Sequence, residues 1–233
     1  MTQIILTRHG HVDWIAPERF RGRAELSLSE LGKRQATALG ARIARSWKPC
    51  AIYASPLSRC VHTAQAIAQT TGATVQTLDD LVDTDYGQWQ GRTHQEVEAH
   101  WPQEFKSWFE NPELTAFPDG ETLAAVLVRS TSVLRKMLAQ HPDDVVVLVG
   151  HDSINRVILL HALGLPLSHY WRIKQDPCCV NEIRIESGKS TLNRINETFH
   201  LIDACMVPAG ASNLAQTQEA QTKAPVAVVL CQT

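Results

Sequence analysis

Short apolar runs alternate along this chain with stretches whose apolar residues recur every three or four positions. That pattern predicts a three-layer α/β/α sandwich around a mainly parallel sheet. Gln3-Ile4-Ile5-Leu6-Thr7 is a buried-strand run that stops at Arg8-His9-Gly10. Ser27 with Glu30, or equally Ser29, caps a helix on which Leu39, Ile43 and Trp47 share one face. Ala51-Ile52-Tyr53-Ala54 is a second strand, Pro56 suits a helix first turn, and Val61, Ala64 and Ala68 stripe the helix that follows. Thr74 to Leu78 reads as a third strand. Between Tyr86 and Pro118 lie Trp89, Trp101, Trp108, Phe105, Phe109 and Phe117, a segment read as a lid or insertion of irregular helices that covers the leaving group, with ordinary core packing an equal reading for most of its rings. A long helix is expected from about Glu121 to His141, with Leu123, Val126, Leu127, Leu134 and Leu138 inward. Val145 to Val149 is the strongest strand and stops at Gly150-His151; a helix from Ile154 to Leu163 then ends at Gly164, before Pro166. Ile183 to Glu186 and Thr191 to Ile195 flank Ser187-Gly188-Lys189-Ser190 as a hairpin.

At 233 residues, 44% of them hydrophobic and 20% charged, the chain has material for one full core. Residues 1–203 are read as that domain and 204–233 as an Ala/Gln/Thr-rich disordered tail, with Val226 to Leu230 a candidate short strand. The net charge of -2 calls for neither a nucleic acid nor an anionic membrane. No apolar run approaches the ~18 residues of a membrane span. The first residues lack the basic start, apolar stretch and cleavage site of a signal peptide. Six cysteines without CxxC spacing disfavour a zinc site and a disulfide framework, so a reduced, cytoplasmic protein is expected. Nothing in the sequence fixes the oligomeric state.

Two strands end in the same chemistry. The first delivers Arg8 and His9 to its carboxyl end, and the strong later strand delivers His151 to its own, the edge where ligands bind in open parallel sheets. Arg59 falls in the first turn of the helix after the Tyr53 strand, where free N–H groups and the helix dipole favour an anion. A phosphoryl dianion needs several fixed donors, and arginine offers a planar fork for two of its oxygens. A neutral imidazole nitrogen can attack phosphorus and divide one hard step into two through a phosphohistidine. Arg8, Arg59 and His151 would then neutralise the equatorial oxygens, with no metal or cofactor required. Taken singly, each of these residues is an ordinary packed or solvated one; their joint placement carries the reading.

Arg8-His9-Gly10-His11-Val12-Asp13-Trp14 resembles the Arg-His-Gly signature of the histidine phosphatase superfamily, the phosphoglycerate mutase-like fold. The resemblance continues in the family's order through Arg19-Phe20-Arg21-Gly22, Leu28 to Gly32, Ser55-Pro56-Leu57-Ser58-Arg59 and Thr63-Ala64. It then runs through Gly87-Gln88-Trp89-Gln90-Gly91, Gly120-Glu121-Thr122, Gly150-His151 and Asn196 to Leu201, spanning about residues 1–203. It implies that His9 is phosphorylated and that Arg8, Arg59 and His151 grip the phosphoryl group. It also implies a general acid shortly before the Gly-x-Trp-x-Gly segment. That position holds Asp83 where the family usually has Glu, and Asp reaches about one methylene less far, with a reference pKa of ~3.9. A second candidate is Asp152, because His151-Asp152 is similar to the His-Asp pair of the acid phosphatase and phytase branch; its bland role is an N-cap. Asp85 or a water stands behind them.

Further departures bear on the substrate. Ile15 stands where many members have Asn. Arg21 lies near the substrate mouth, where it would meet a second anionic group or serve only as a loop arginine. His11 replaces the common Glu. The family's mutases carry a basic insertion after the acid segment, whereas Arg92 to Trp108 holds only Arg92 and Lys106. Hydrolysis of a small phosphorylated metabolite is therefore expected, and the Gly-x-Trp-x-Gly form is similar to that of α-ribazole phosphatases. The alternatives are mutase-type phosphoryl transfer, a phosphate-ligand binder with weak turnover, and a metal site built from His9, His11, His151 and Asp152.

Overall fold

The computed structural model describes residues 1–14 and 17–205. Ile15, the tail from 206 onward and the candidate strand at Val226 to Leu230 lie outside the described residues. Six strands form one sheet in the order β3-β2-β4-β1-β5-β6. β1 (Thr2–Arg8), β2 (Ala51–Ala54), β3 (Thr74–Thr77) and β4 (Val145–Gly150) are mutually parallel, as the connecting helices require. β5 (Val180–Glu186) runs antiparallel to β1, and β6 (Lys189–Glu197) returns along it after the turn Ser187-Gly188. The hairpin link is thus shorter than the four residues read from the sequence.

Strand alternation decides what lies on each face. Ile4 and Leu6 of β1, with Val146 and Leu148 of β4, join one core cluster; Ile5, Val147 and Val149 join the other. The second cluster is closed by α1 (Glu30–Ser46) and α2 (Ser58–Thr71), through Leu39, Ile43, Ala64 and Ile67. The first is closed by α5 (Leu123–Gln140) and α6 (Asp152–Leu163), through Val126, Val133, Met137, Val157 and Leu160. Each large aliphatic chain buried this way contributes about 1.5–3 kcal/mol. Both core strands therefore gain from two faces at once, which is why β1 and β4 read as unbroken apolar runs.

The caps refine the expected boundaries. Ser29, not Ser27, caps α1 by accepting from Gly32 N, and Thr122 caps α5, so Glu121 stays outside the helix. Gly164 ends α6 in the left-handed conformation, as its position suggested. Leu127 and Leu138 lie only partly buried at the edge of the α5 face, while Val133 and Met137 fill its centre.

The aromatic segment is a core, not a lid. It folds into α3 (His94–His100) and α4 (Pro102–Glu110) with short 3-10 turns, and Trp89, Trp108 and Phe117 are buried in the α5/α6 cluster. Trp89 and Trp108 each meet the Phe117 ring edge-on at 5.0 Å between centroids. Only Tyr86 and His94 of this region reach the cleft described next.

Candidate active site

The register of the central strands assembles the site. Arg8 stands opposite Gly150 in the parallel β1–β4 pair, so the two strands release His9 and His151 at the same level. His9 N donates to Gly150 O at 3.0 Å, and the two imidazoles lie edge to face with centroids 5.2 Å apart. β2, on the far side of β4, feeds Ser55 and the first turn of α2, which carries Arg59. Close backbone approach holds the Arg-His-Gly turn: a Cβ on Gly10 would stand 2.6 Å from Gly32 O. A Cβ on Gly32 would in turn collide with His11 O, so each segment requires glycine.

His9 is buried, and its Nδ1 donates to Gly10 O at 2.7 Å. A carbonyl can only accept, so the neutral ring keeps its lone pair on Nε2. Burial, then the charges of Arg59, His151 and Arg8, hold the His9 pKa well below the usual histidine range. Burial likewise depresses His151, reinforced by Arg59 and Arg8. Both rings are therefore neutral at pH 7. His151 Nε2 pairs with Ser55 Oγ at 2.8 Å, while Nδ1 lies 3.6 Å from Asp83 Oδ2.

The two guanidiniums are fixed by backbone carbonyls rather than by ion pairs of full strength. Arg59 is fully buried and donates to Gly22 O and Ala24 O, each at 2.7 Å. Gly22 presents that carbonyl from a backbone φ of +49°, a conformation open to glycine at little cost. Arg8 donates to Gln175 O at 2.6 Å. The Nε of each arginine is buried without a protein partner. An unmet buried donor costs about 1–3 kcal/mol; of these residues Arg8 and His9 line the cleft, whereas the fully buried Arg59 and His151 do not.

Asp83 completes the cluster. Its Oδ2 lies 3.4 Å from Arg59 Nη2, and its Oδ1 accepts from Thr84 N at 2.9 Å and from the Ser153 hydroxyl. Arg129 braces this segment by donating to Val82 O at 2.5 Å and Asp80 O at 2.9 Å. Glu121 pairs with Arg129 at 2.7 Å and accepts from Asp85 N at 2.9 Å, which gives the Gly-Glu-Thr motif its local purpose. Asp152 does not cap α6. His151 occupies the N-cap, and Asp152, in the first turn, takes both carboxylate oxygens to Arg156 Nε at 3.0 and 3.1 Å. Asp85 is turned to Gly87 N and Arg23 and so leaves the site.

The cleft above His9 is lined by Arg8, Arg21, Asp83, Tyr86, His94 and Asp152, with Glu18, Arg19, Phe20 and Ser153 around them. Arg21 donates to Trp14 O at 3.2 Å and, among the described residues, meets no carboxylate within 4.0 Å. Burial lowers its pKa, and the neighbouring Arg8 adds to that effect. His11 is drawn away to Ser29 Oγ at 2.8 Å. The alternative metal arrangement of His9, His11, His151 and Asp152 is therefore not assembled, and among the described residues no His/Asp/Glu trio of the cleft lies close enough to share an ion. Sequence reasoning had no signal for Ser153, Arg129 or Gln175, which reach the site only through tertiary pairing, and it gave Ser55 only as part of the Ser55-to-Arg59 motif.

A family model described as histidine phosphatase superfamily (branch 1) matches residues 4–198. The chain is 33% identical over 201 residues to phosphoserine phosphatase 1 of Hydrogenobacter thermophilus, with 86% of this chain and 95% of that protein covered. It is 31% identical over 176 residues to the glucosyl-3-phosphoglycerate phosphatase of Mycobacterium tuberculosis, covering 72% and 78% respectively. Among solved structures, Bacillus stearothermophilus YhfR aligns with a TM-score of 0.82 at 25% identity, covering 86% of this chain and all of that one.

Proposed function

This chain belongs to the histidine phosphatase superfamily, branch 1, and we propose that His9 is the nucleophile with which it hydrolyses a small phosphomonoester carrying a second anionic group. The fold is phosphoglycerate mutase-like, and the chain is a phosphoric monoester hydrolase. The observation that carries the assignment of roles is the gathering of His151, Arg8 and Arg59 around a buried His9 whose Nδ1 is occupied by Gly10 O, leaving Nε2 with its lone pair. In the first step Nε2 attacks phosphorus while Arg8, Arg59 and His151 hold the equatorial oxygens. Asp83 gives its proton to the leaving oxygen, then takes one from the water that attacks the phosphohistidine. Water cleaves that P–N bond, releasing inorganic phosphate and restoring His9. Asp152 is the weaker donor candidate because both its oxygens are committed to Arg156.

Hydrolysis is favoured over phosphoryl return. Arg92 lies over the Trp101 ring, 5.3 Å from its centroid, and Lys106 sits near Glu110, so neither basic residue of that segment faces the cleft. Arg21 supports the second anionic group, since its guanidinium borders the cleft without a carboxylate of its own. Relatives named for phosphoserine and glucosyl-3-phosphoglycerate agree, both being phosphomonoesters of carboxylic acids. Residues 1–203 are the catalytic domain in this reading. The free thiols of Cys50, Cys60 and Cys179 support a reducing, cytoplasmic setting. No helix among the described residues is long and apolar enough to cross a membrane.

The direct test is hydrolysis of p-nitrophenyl phosphate and phosphoserine with and without EDTA. Turnover of both, unchanged by the chelator, is expected. Activity lost to EDTA and restored by a divalent metal would overturn the mechanism, and binding of phosphate esters without release of phosphate would make the chain a binder. Arg21→Ala should raise KM for phosphoserine by roughly 10–100-fold, the worth of a charge-assisted hydrogen bond. The same change should leave p-nitrophenyl phosphate within about twofold. Equal losses on both substrates would reduce Arg21 to a loop residue.

A further inference from the structure

The opposite end of the sheet holds a second group of chemistry-bearing side chains that phosphoryl transfer does not use. Cys50 directly precedes β2, His141 is the C-cap of α5, and Asp144 directly precedes β4. Cys50 Sγ lies 3.4 Å from His141 Nδ1, and Asp144 Oδ2 lies 3.7 Å from the same nitrogen. All three donor atoms fall within 4.8 Å of one another, the one such trio among the described residues.

The tautomer of His141 is set from behind. Tyr53 Oη lies 2.9 Å from His141 Nε2 and donates its own hydrogen to Gln140 Oε1 at 3.3 Å. The phenol oxygen therefore accepts from Nε2–H, which leaves the imidazole lone pair on Nδ1, between the thiol and the carboxylate. A second hydrogen bond of this kind is what orients a metal-bound histidine. Tyr53 is buried, so this support is rigid, whereas Cys50 and Asp144 are exposed and leave one side open to water.

The spacing fits an ion. With Zn–S of about 2.3 Å, Zn–N or Zn–O of about 2.0–2.1 Å and tetrahedral angles, sulfur and nitrogen stand about 3.6 Å apart and nitrogen and oxygen about 3.3 Å apart. The observed 3.4 and 3.7 Å need adjustments of only a few tenths of an ångström. Thiolate with imidazole selects zinc or cobalt over magnesium or calcium. The last carbonyls of the 18-residue helix α5 add a negative dipole end to which His141 belongs.

We propose that Cys50, His141 and Asp144 form a tetrahedral zinc-type site with water as fourth ligand and Tyr53 as a positioning residue. On binding, the Cys50 thiol loses its proton to solvent as the metal–sulfur bond forms, and no electron is transferred. The ion ties the α5–β4 connection to the start of β2. Because it lies at the amino ends of the parallel strands, the phosphoryl site at their carboxyl ends is untouched.

The test is a titration of the full chain, previously stripped with chelator, with cobalt and then zinc. One equivalent of cobalt should produce a thiolate-to-cobalt charge-transfer band and the visible bands of a four-coordinate ion, both displaced by zinc. Cys50→Ser should abolish the charge-transfer band while keeping phosphatase activity within about twofold. Tyr53→Phe, which keeps the ring, should weaken zinc binding by roughly 10–100-fold. A band that persists in Cys50→Ser, equal zinc affinity in parent and variants, or no band at stoichiometric cobalt would each overturn the site.

Discussion

Replacement of His9 by alanine should lower kcat on any phosphomonoester by at least about 10³-fold and abolish incorporation of labelled phosphate into the protein. The effect is this large because the residue forms a bond rather than tuning one. Without Nε2, water must attack a dianion directly, and Arg8, Arg59 and His151 supply only the charge stabilisation that remains. The fold should survive, since among the described residues the ring loses one hydrogen bond, that to Gly10 O. That loss costs on the order of 1–3 kcal/mol, and circular dichroism with a denaturant titration would confirm it. The label should be acid-labile and alkali-stable, as a P–N bond to imidazole is. The pH profile supplies a second check. Burial and the flanking cations depress the His9 pKa, so the nucleophile is already neutral well below pH 6.5. The acid limb of kcat/KM should accordingly show no step at the ordinary histidine value of about 6.5. Unchanged turnover in His9→Ala, or full activity with no trapped label, would move the nucleophile elsewhere.

Much of this arrangement was written locally. Val146 to Val149 and Gln3 to Thr7 are buried on both faces, so their apolar runs announce central parallel strands, and the polar residues that stop them mark the carboxyl edge. From there the two strand-end histidines and Arg59 follow with little further information. What stayed hidden depends on pairing between distant segments. The aromatic stretch left cover and core both open, because large rings suit either. Yet Trp89, Trp108 and Phe117 pack against each other and against the α5/α6 layer, a contact no local pattern encodes. Asp152 looked like a cap by its place in the chain, but His151 took the N-cap because its strand ends in extended backbone, φ -125° and ψ 170°. Arg156, one turn on, then claimed the Asp152 carboxylate. That rearrangement is why the proposed mechanism takes Asp83 rather than Asp152 as the donor, and it was invisible without coordinates.

The choice of Asp83 leads to the most diagnostic expectation, because a general acid matters in proportion to how badly the leaving group needs a proton. Asp83→Asn keeps size and the hydrogen bond from Thr84 N but removes the transferable proton. On phosphoserine, whose leaving oxygen is an alkoxide, kcat should fall by roughly 10²–10⁴-fold. On p-nitrophenyl phosphate, whose phenolate departs readily unprotonated, the fall should be about tenfold or less. KM should not rise on either substrate. A donor that still holds its proton carries no net charge, so neutral asparagine presents the bound dianion with the same electrostatics. A loss in kcat without a loss in binding marks a group that acts in the transition state alone. Asp152→Asn should behave differently. With its carboxylate held by Arg156, its removal should cost kcat less than about tenfold and show no dependence on the leaving group. If instead the leaving-group dependence follows Asp152 and spares Asp83, the donor sits in the first turn of α6, and the depth of the cleft occupied by the leaving group must be reassigned with it. The methylene missing from Asp83 relative to glutamate sharpens the same point. Asp83→Glu should retain turnover on phosphoserine, since the longer arm keeps the carboxyl within the reach of Ser153 and of the oxygen it must protonate.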